Sequence, residues 1–187
     1  MSRQTALLVI DVQESFRHRP YFTDDDLPSF FDRCNTVIDG FTDVGLPVVR
    51  ILHVEGAGPF SKASGFVEPM RELAFEPAAT FEKNVHSALI GTGLQGWLTS
   101  RGISRLAIAG IRTEQCCETT TRNASDLGFE VNYVTEATLT FAMTTRAGRK
   151  VSAAEIRERT ELVLADRFAT IVTAGEAIER AHAALAR

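Results

Sequence analysis

Two side chains in this sequence combine residue type and position in a way that suits acid–base and nucleophilic chemistry, Asp11 and Cys116, while Lys83 taken alone would not stand out. Asp11 closes the apolar run ALLVID. A strand there delivers its carboxylate to the carboxyl edge of a sheet, where open α/β sheets hold ligands. Gln13 and Phe16, in the VQESF that follows, are candidates to line the same crevice. Cys116 lies in AGIRTEQCCETTTR, after an apolar run and a short polar turn, where a helix-like segment begins. A thiol at a helix N-terminus meets the positive end of the macrodipole, which predicts a lowered pKa and a ready thiolate. Free N–H groups at the same place can hold an oxyanion. Lys83, in ATFEKNVHSAL, falls at or just past a strand end. Each residue also has an ordinary reading: an acid ending a strand, a solvated lysine, a buried inert cysteine. Residue type alone leaves both readings open.

The remaining reactive side chains form no comparable pattern. Cys117 points about 100° around the helix from Cys116 and is expected to pack on the sheet as a small hydrophobe. Cys34, Cys116 and Cys117 are an odd set with no C-x-x-C spacing, so neither a disulfide framework nor a redox pair is expected. His18, His53, His86 and His182 are scattered, with no zinc-like spacing. His53, near a strand end, is in reach of the site, although a structural or surface role is the stronger expectation. Glu118 and Arg122 are expected to form a solvated i,i+4 pair of small value. No G-x-G-x-x-G, Walker or G-x-S-x-G motif is present, so no nucleotide cofactor, indeed no cofactor, is expected, and a serine-hydrolase elbow is excluded.

These candidates need a scaffold of alternating strands and helices, and the chain supplies one. Apolar runs at Thr5–Asp11, Leu46–Val54, Ser104–Ile111, Phe129–Ala137 and Arg167–Gly175 predict strands. Helical spacing over Leu27–Gly45, and helix-like segments before Ser104, after Cys116 and around the last strand, fill the intervals. Near-continuous apolar strands between helices predict an α/β protein with a parallel sheet covered on both faces. Two long connections, Glu55–Thr80 and Thr138–Ser152, are expected to cap the site and choose the substrate. Phe60, Phe66, Phe141 and Met143 on them are candidate pocket walls, or equally loop residues packed back on the core.

The 187 residues suit a single domain, 1–187, and the formal net charge is −4. That charge argues against nucleic acid or an acidic membrane surface as partner. No apolar run reaches the roughly 18 residues of a membrane span. The opening MSRQTALLVIDVQ enters a strand directly, which predicts a mature cytoplasmic chain.

Taken together, ALLVIDVQESF, FEKNVHSAL and AGIRTEQCCETTTRNASDLGFEV, with DRFATIV near the end, resemble the isochorismatase-like cysteine hydrolase superfamily. The resemblance rests on D-x-Q, F-x-K and G-[IV]-x-T-x-x-C in that order, and covers nearly the whole chain. It implies a three-layer α/β/α sandwich around a six-stranded, mainly parallel sheet. It further implies a catalytic triad of Asp11, Lys83 and Cys116 and a cis peptide between Ile111 and Arg112. The oxyanion hole would be the backbone N–H groups of Arg112 and Cys116, with Gln13 and Phe16 lining the substrate pocket. A homo-oligomer acting on a small molecule is also implied. Metal-binding nicotinamidases of the superfamily carry D-x-H and further histidines after the second strand. Here VVRILHVEGAGPF has one histidine and no preceding Asp, which argues against a metal site and against nicotinamide. Isochorismatases proper lack the nucleophilic cysteine. The resemblance therefore points to a cysteine hydrolase of a small amide or related C–N bond through a thioester. The alternatives are an isochorismate-type vinyl-ether hydrolase, or a non-hydrolytic thiol or binding protein on the same fold.

Overall fold

The structure is a computed structural model and describes residues 4–185. Its elements in chain order are β1 (Gln4–Ile10), α1 (Leu27–Asp43), β2 (Val48–His53), β3 (Ala79–Lys83), α2 (Leu94–Thr99), β4 (Ile103–Ile111), α3 (Glu118–Asp126), β5 (Glu130–Leu139), β6 (Met143–Thr144), β7 (Lys150–Val151), α4 (Ala153–Leu164), β8 (Thr170–Ile171) and α5 (Ala174–Leu185). Six strands make one all-parallel sheet in the order β3-β2-β1-β4-β5-β8.

Hydrophobic periodicity explains how the layers close. In α1 the buried residues Phe30, Phe31, Cys34, Val37, Ile38 and Phe41 recur at helical spacing and meet Leu7, Val9, Ala107, Ala109 and the alanines of α5 on one face of the sheet. On the other face Leu8, Ile10, Val49, Leu106 and Ile108 meet α2, α3 and Leu164 of α4. The result is a three-layer α/β/α sandwich. Local signals set the helix ends. α1 closes in a Schellman motif, with Gly45 at φ 72° and Leu46 N–H donating to Phe41 O. α4 opens on a capping box of Ser152 and Glu155.

Several expected boundaries shift. The strand expected over Arg167–Gly175 pairs only at Thr170 and Ile171, because α5 already begins at Ala174. The Phe129–Ala137 run extends to Leu139, as β5 re-registers past Ile108 and follows β4 to its end. The connection Thr138–Ser152 carries a small antiparallel hairpin, β6–β7. Glu55–Thr80 contains two 3₁₀ turns, Gly58–Phe60 and Lys62–Ser64, and is pinned to the residues after β1 by a Gln13–Pro69 bridge.

The strand order reverses between β1 and β4, so the crevice at their carboxyl ends is the expected ligand position. Gly110 makes that junction tight. It sits at φ 130°, and a Cβ there would lie 2.0 Å from the carbonyl oxygen of Ile10. Any side chain would push β4 away from the strand that delivers Asp11. Gly110→Ala is expected to cost about 3 kcal/mol or more, lowering Tm by roughly 6–12 °C. Gly96→Ala, in open space on α2, should stay within about 1 kcal/mol of wild type. Thermal and urea denaturation of the two variants measures the contrast, and equal stability would refute the tight junction.

Candidate active site

β1 ends by turning sharply at Asp11, a non-glycine residue held at φ 54° with its N–H donated to Ile51 O. That turn points the carboxylate into the protein, where it is wholly buried. Two strands away, β3 ends on Lys83, also buried, with Nζ 2.7 Å from Asp11 Oδ2. β4 ends at Ile111, the Ile111–Arg112 peptide is cis, and Thr113–Cys117 form a single π-helical turn running into α3. The turn brings Cys116 Sγ to 3.2 Å from Lys83 Nζ. Asp11 and Cys116 also lie close, a carboxylate oxygen and Sγ within 4.8 Å of each other. The three residues named from the sequence therefore meet at one buried point, although 72 and 33 positions separate them along the chain.

Two histidines join them. His53, the last residue of β2, is paired in register with Lys83, and its Nδ1 lies 2.8 Å from Lys83 Nζ. His86, on the exposed segment after β3, places Nδ1 3.7 Å from Cys116 Sγ. The two rings are nearly parallel, 6.3 Å apart. Sequence spacing hid both, because a histidine alone on a strand or loop has no periodic signal. The end of β2 beside β1 was the available clue. Asp11, His53 and Cys116 bring one donor atom each within 4.8 Å of one another, a spacing fit for a cation. Lys83 Nζ bonds to all three, so the cation this cluster accommodates is the ammonium.

Gln13 is fully buried and works as a strut. Its Oε1 accepts from His53 N–H at 2.7 Å, and its Nε2 donates to His53 O and to Ser15 Oγ. Phe16 packs edge-on against Phe60, which in turn lies edge-on to His53. Phe141 lies beneath the Arg112 guanidinium, together with Tyr21. Phe66 instead stacks on His18, and Met143 is exposed on β6. The Arg112 side chain is buried and pairs with Glu114 at 2.9 Å. Cys117 is fully buried among Ala124, Tyr133 and their neighbours. Glu118 departs from expectation: it is buried, holding Arg122, Arg159 and Thr160, because α4 folds over the start of α3.

Burial reverses the expected electrostatics of the thiol. Desolvation and the facing Asp11 carboxylate push the Cys116 pKa above that of a free thiol, and Lys83 only partly opposes them. The helix-terminus effect anticipated from sequence is outweighed. Burial likewise raises the Asp11 pKa more than Lys83 lowers it. Burial disfavours the Lys83 ammonium too, but Asp11 and Cys116 overcome that and raise its pKa. Burial, then Lys83 and His86, lower His53 to about 4. Burial thus favours a protonated thiol and a neutral imidazole, while Lys83 keeps its proton.

A family profile for the isochorismatase domain matches residues 5–175. The isochorismatase family protein YrdC of Bacillus subtilis (strain 168) is 29% identical over 187 residues, covering 95% of this chain and 96% of that protein. Nicotinamidase 3 of Arabidopsis thaliana is 29% identical over 169 residues, covering 75% of each chain. A crystal structure of an isochorismatase-family protein from Chromobacterium violaceum ATCC 12472 superposes with a TM-score of 0.87 at 25% identity, over 98% of this chain and 95% of that one.

A protonated resting thiol has a measurable consequence. Alkylation of Cys116 by iodoacetamide, followed by peptide mass spectrometry, should be slow at pH 7 and still accelerating above pH 9. A rate that levels off by pH 7.5 would contradict the electrostatics described.

Proposed function

Since the chain belongs to the isochorismatase family, we propose that it is a cysteine-nucleophile hydrolase of a small amide or related C–N bond, working through a thioester. The observation that carries this reading is the Lys83 ammonium between Asp11 Oδ2 at 2.7 Å and Cys116 Sγ at 3.2 Å. A vinyl-ether hydrolase has no use for a nucleophilic thiol beside its general acid. A relative named as a nicotinamidase supports amide chemistry as the coarse class.

The steps follow from the charges. Both Asp11 and Cys116 have raised pKa values, so the carboxylate is a stronger base than a free one and can take the thiol proton as sulfur attacks. Proton transfer between them leaves the buried cluster's net charge unchanged, and Lys83 keeps one positive charge next to whichever partner is anionic. Attack of Sγ on the carbonyl carbon forms the C–S bond and an oxyanion, which the N–H groups of Arg112 and Cys116 receive. Asp11 returns its proton to nitrogen, the C–N bond breaks, and ammonia or an amine leaves. Water then gives a proton to Asp11 and attacks the thioester. Collapse breaks the C–S bond, frees the acid, and the proton on Asp11 returns to sulfur. Phe16 and Phe60 exclude water around the cluster, and Gln13 fixes its geometry through the backbone of His53. This chemistry needs no cofactor, and the substrate is an uncharged carbonyl compound at the reacting centre. The site lies within one chain, and a second subunit lining its mouth fits the same reading.

Assay against a panel of small primary amides, ureides and carbamoyl compounds tests it. The active compound should release ammonia or amine with the matching acid and no pyruvate. Cys116→Ala should lower kcat at least about 10³-fold, as loss of a covalent nucleophile does, with the fold intact by circular dichroism. Turnover retained in Cys116→Ala, or pyruvate from an enol-ether substrate, would refute the assignment.

A further inference from the structure

The step sequence above leaves the His53 ring without a role, yet both its backbone and its ring are held in place. Its backbone is clamped on both sides by Gln13, at 2.7 Å through N–H and 3.0 Å through the carbonyl. Its ring is nine-tenths buried, closed on one side by Phe60. Its Nδ1 lies 2.8 Å from Lys83 Nζ. An alkylammonium carries three N–H bonds and no lone pair, so Lys83 can only donate. One N–H goes to Asp11 Oδ2 and one to Cys116 Sγ. The third meets His53 Nδ1, which must then be unprotonated. That sets the tautomer: the proton sits on Nε2, 3.5 Å from Oε1 of the half-exposed Glu55.

We propose that His53 is a positioning residue for the cysteine hydrolase reaction, its neutral imidazole accepting the third N–H of Lys83 and so fixing the ammonium between carboxylate and thiol. The proposal rests on the cysteine-hydrolase reading for its kinetic consequence but not for the bond itself. Without the acceptor, a buried ammonium has one unsatisfied donor and is free to swing off the line joining Asp11 and Cys116. With His53 protonated, a second cation would face Nζ at the same distance, and the ammonium would have to leave. The groups facing the ring are Lys83 from β3, His86 from the segment after β3, Glu55 from its own loop, and Asp11 and Cys116 beyond the ammonium. Two of these oppose an imidazolium, and burial adds to them, consistent with a ring that stays neutral down to about pH 4.

The test compares His53→Leu, which fills similar space without an acceptor, with His53→Asn, whose amide oxygen replaces Nδ1. On the amide that the panel identifies, His53→Leu should lower kcat about 10- to 100-fold with KM nearly unchanged, the effect of one lost charge-assisted bond. His53→Asn should recover most of kcat. Imidazole ¹⁵N chemical shifts of wild type should show His53 Nδ1 unprotonated from pH 8 to pH 5. In Lys83→Met the His53 titration should move up by at least about one pH unit. Equal losses in Leu and Asn variants would overturn the proposal by reducing His53 to packing. A proton on Nδ1 at neutral pH, or a titration unmoved by Lys83→Met, would overturn it by breaking the bond. The nitrogen spectra need neither folding of a His53 variant nor turnover. If wild type hydrolyses no amide while Nδ1 stays unprotonated and Lys83-dependent, the hydrolase reading falls and the His53–Lys83 bond stands.

Discussion

A fully buried ammonium is tolerable only when every one of its N–H groups is taken, and that requirement organises the carboxyl edge of this sheet. Lys83 meets it with three acceptors of different kinds: a carboxylate from the end of β1, an imidazole from the end of β2, and a thiol from the turn after β4. Its own backbone ends β3. Four strands of the sheet therefore contribute one group each. The charge of Lys83 makes it possible to keep an acid and a thiol together without water.

The scaffold serves that point. Reversal of strand order between β1 and β4 opens the crevice, and Gly110 lets those two strands approach closely at its base. The turn at Asp11 and the π-helical turn at Thr113–Cys117 then bend two chains toward each other. Around the cluster, Gln13 ties the segment after β1 to the end of β2, and Phe16 and Phe60 seal one side. Behind Cys116, the Tyr133 hydroxyl donates to Thr113 O at 2.8 Å and Glu118 anchors α3 to α4, so the Thr113–Cys117 turn is braced by the layer it packs in. Burial supplies both the rigidity and the raised pKa values of Asp11 and Cys116.

Much of this was legible in the residues. Continuous apolar runs read correctly as buried parallel strands, since strands covered on both faces have no polar alternation to confuse. Asp11 and Cys116 stood out because each closes or follows such a run. Lys83 did not; only the joint order of three motifs drew attention to it. His53 was placed in reach of the site but read as structural, and His86 escaped notice, because their partners lie 30 positions away, which no local pattern encodes. The thiol's electrostatics were misjudged for a related reason. A helix-terminus argument counts a local dipole, whereas desolvation and Asp11 depend on the whole fold. Glu118 was read as solvated for want of any sign that α4 would cover it. The β8 strand was overestimated because an apolar run says how much chain can pair, not where the next helix begins.

The account turns on an acyl group passing through Cys116, and partitioning between nucleophiles tests that most directly. Two substrates sharing one acyl group but differing in leaving amine are hydrolysed in the presence of hydroxylamine, and the ratio of hydroxamate to acid is measured. A common thioester predicts the same ratio from both substrates, since the amine has gone before the competition takes place. A ratio that changes with the leaving amine, or turnover that forms no hydroxamate while hydroxylamine concentration rises, would contradict it.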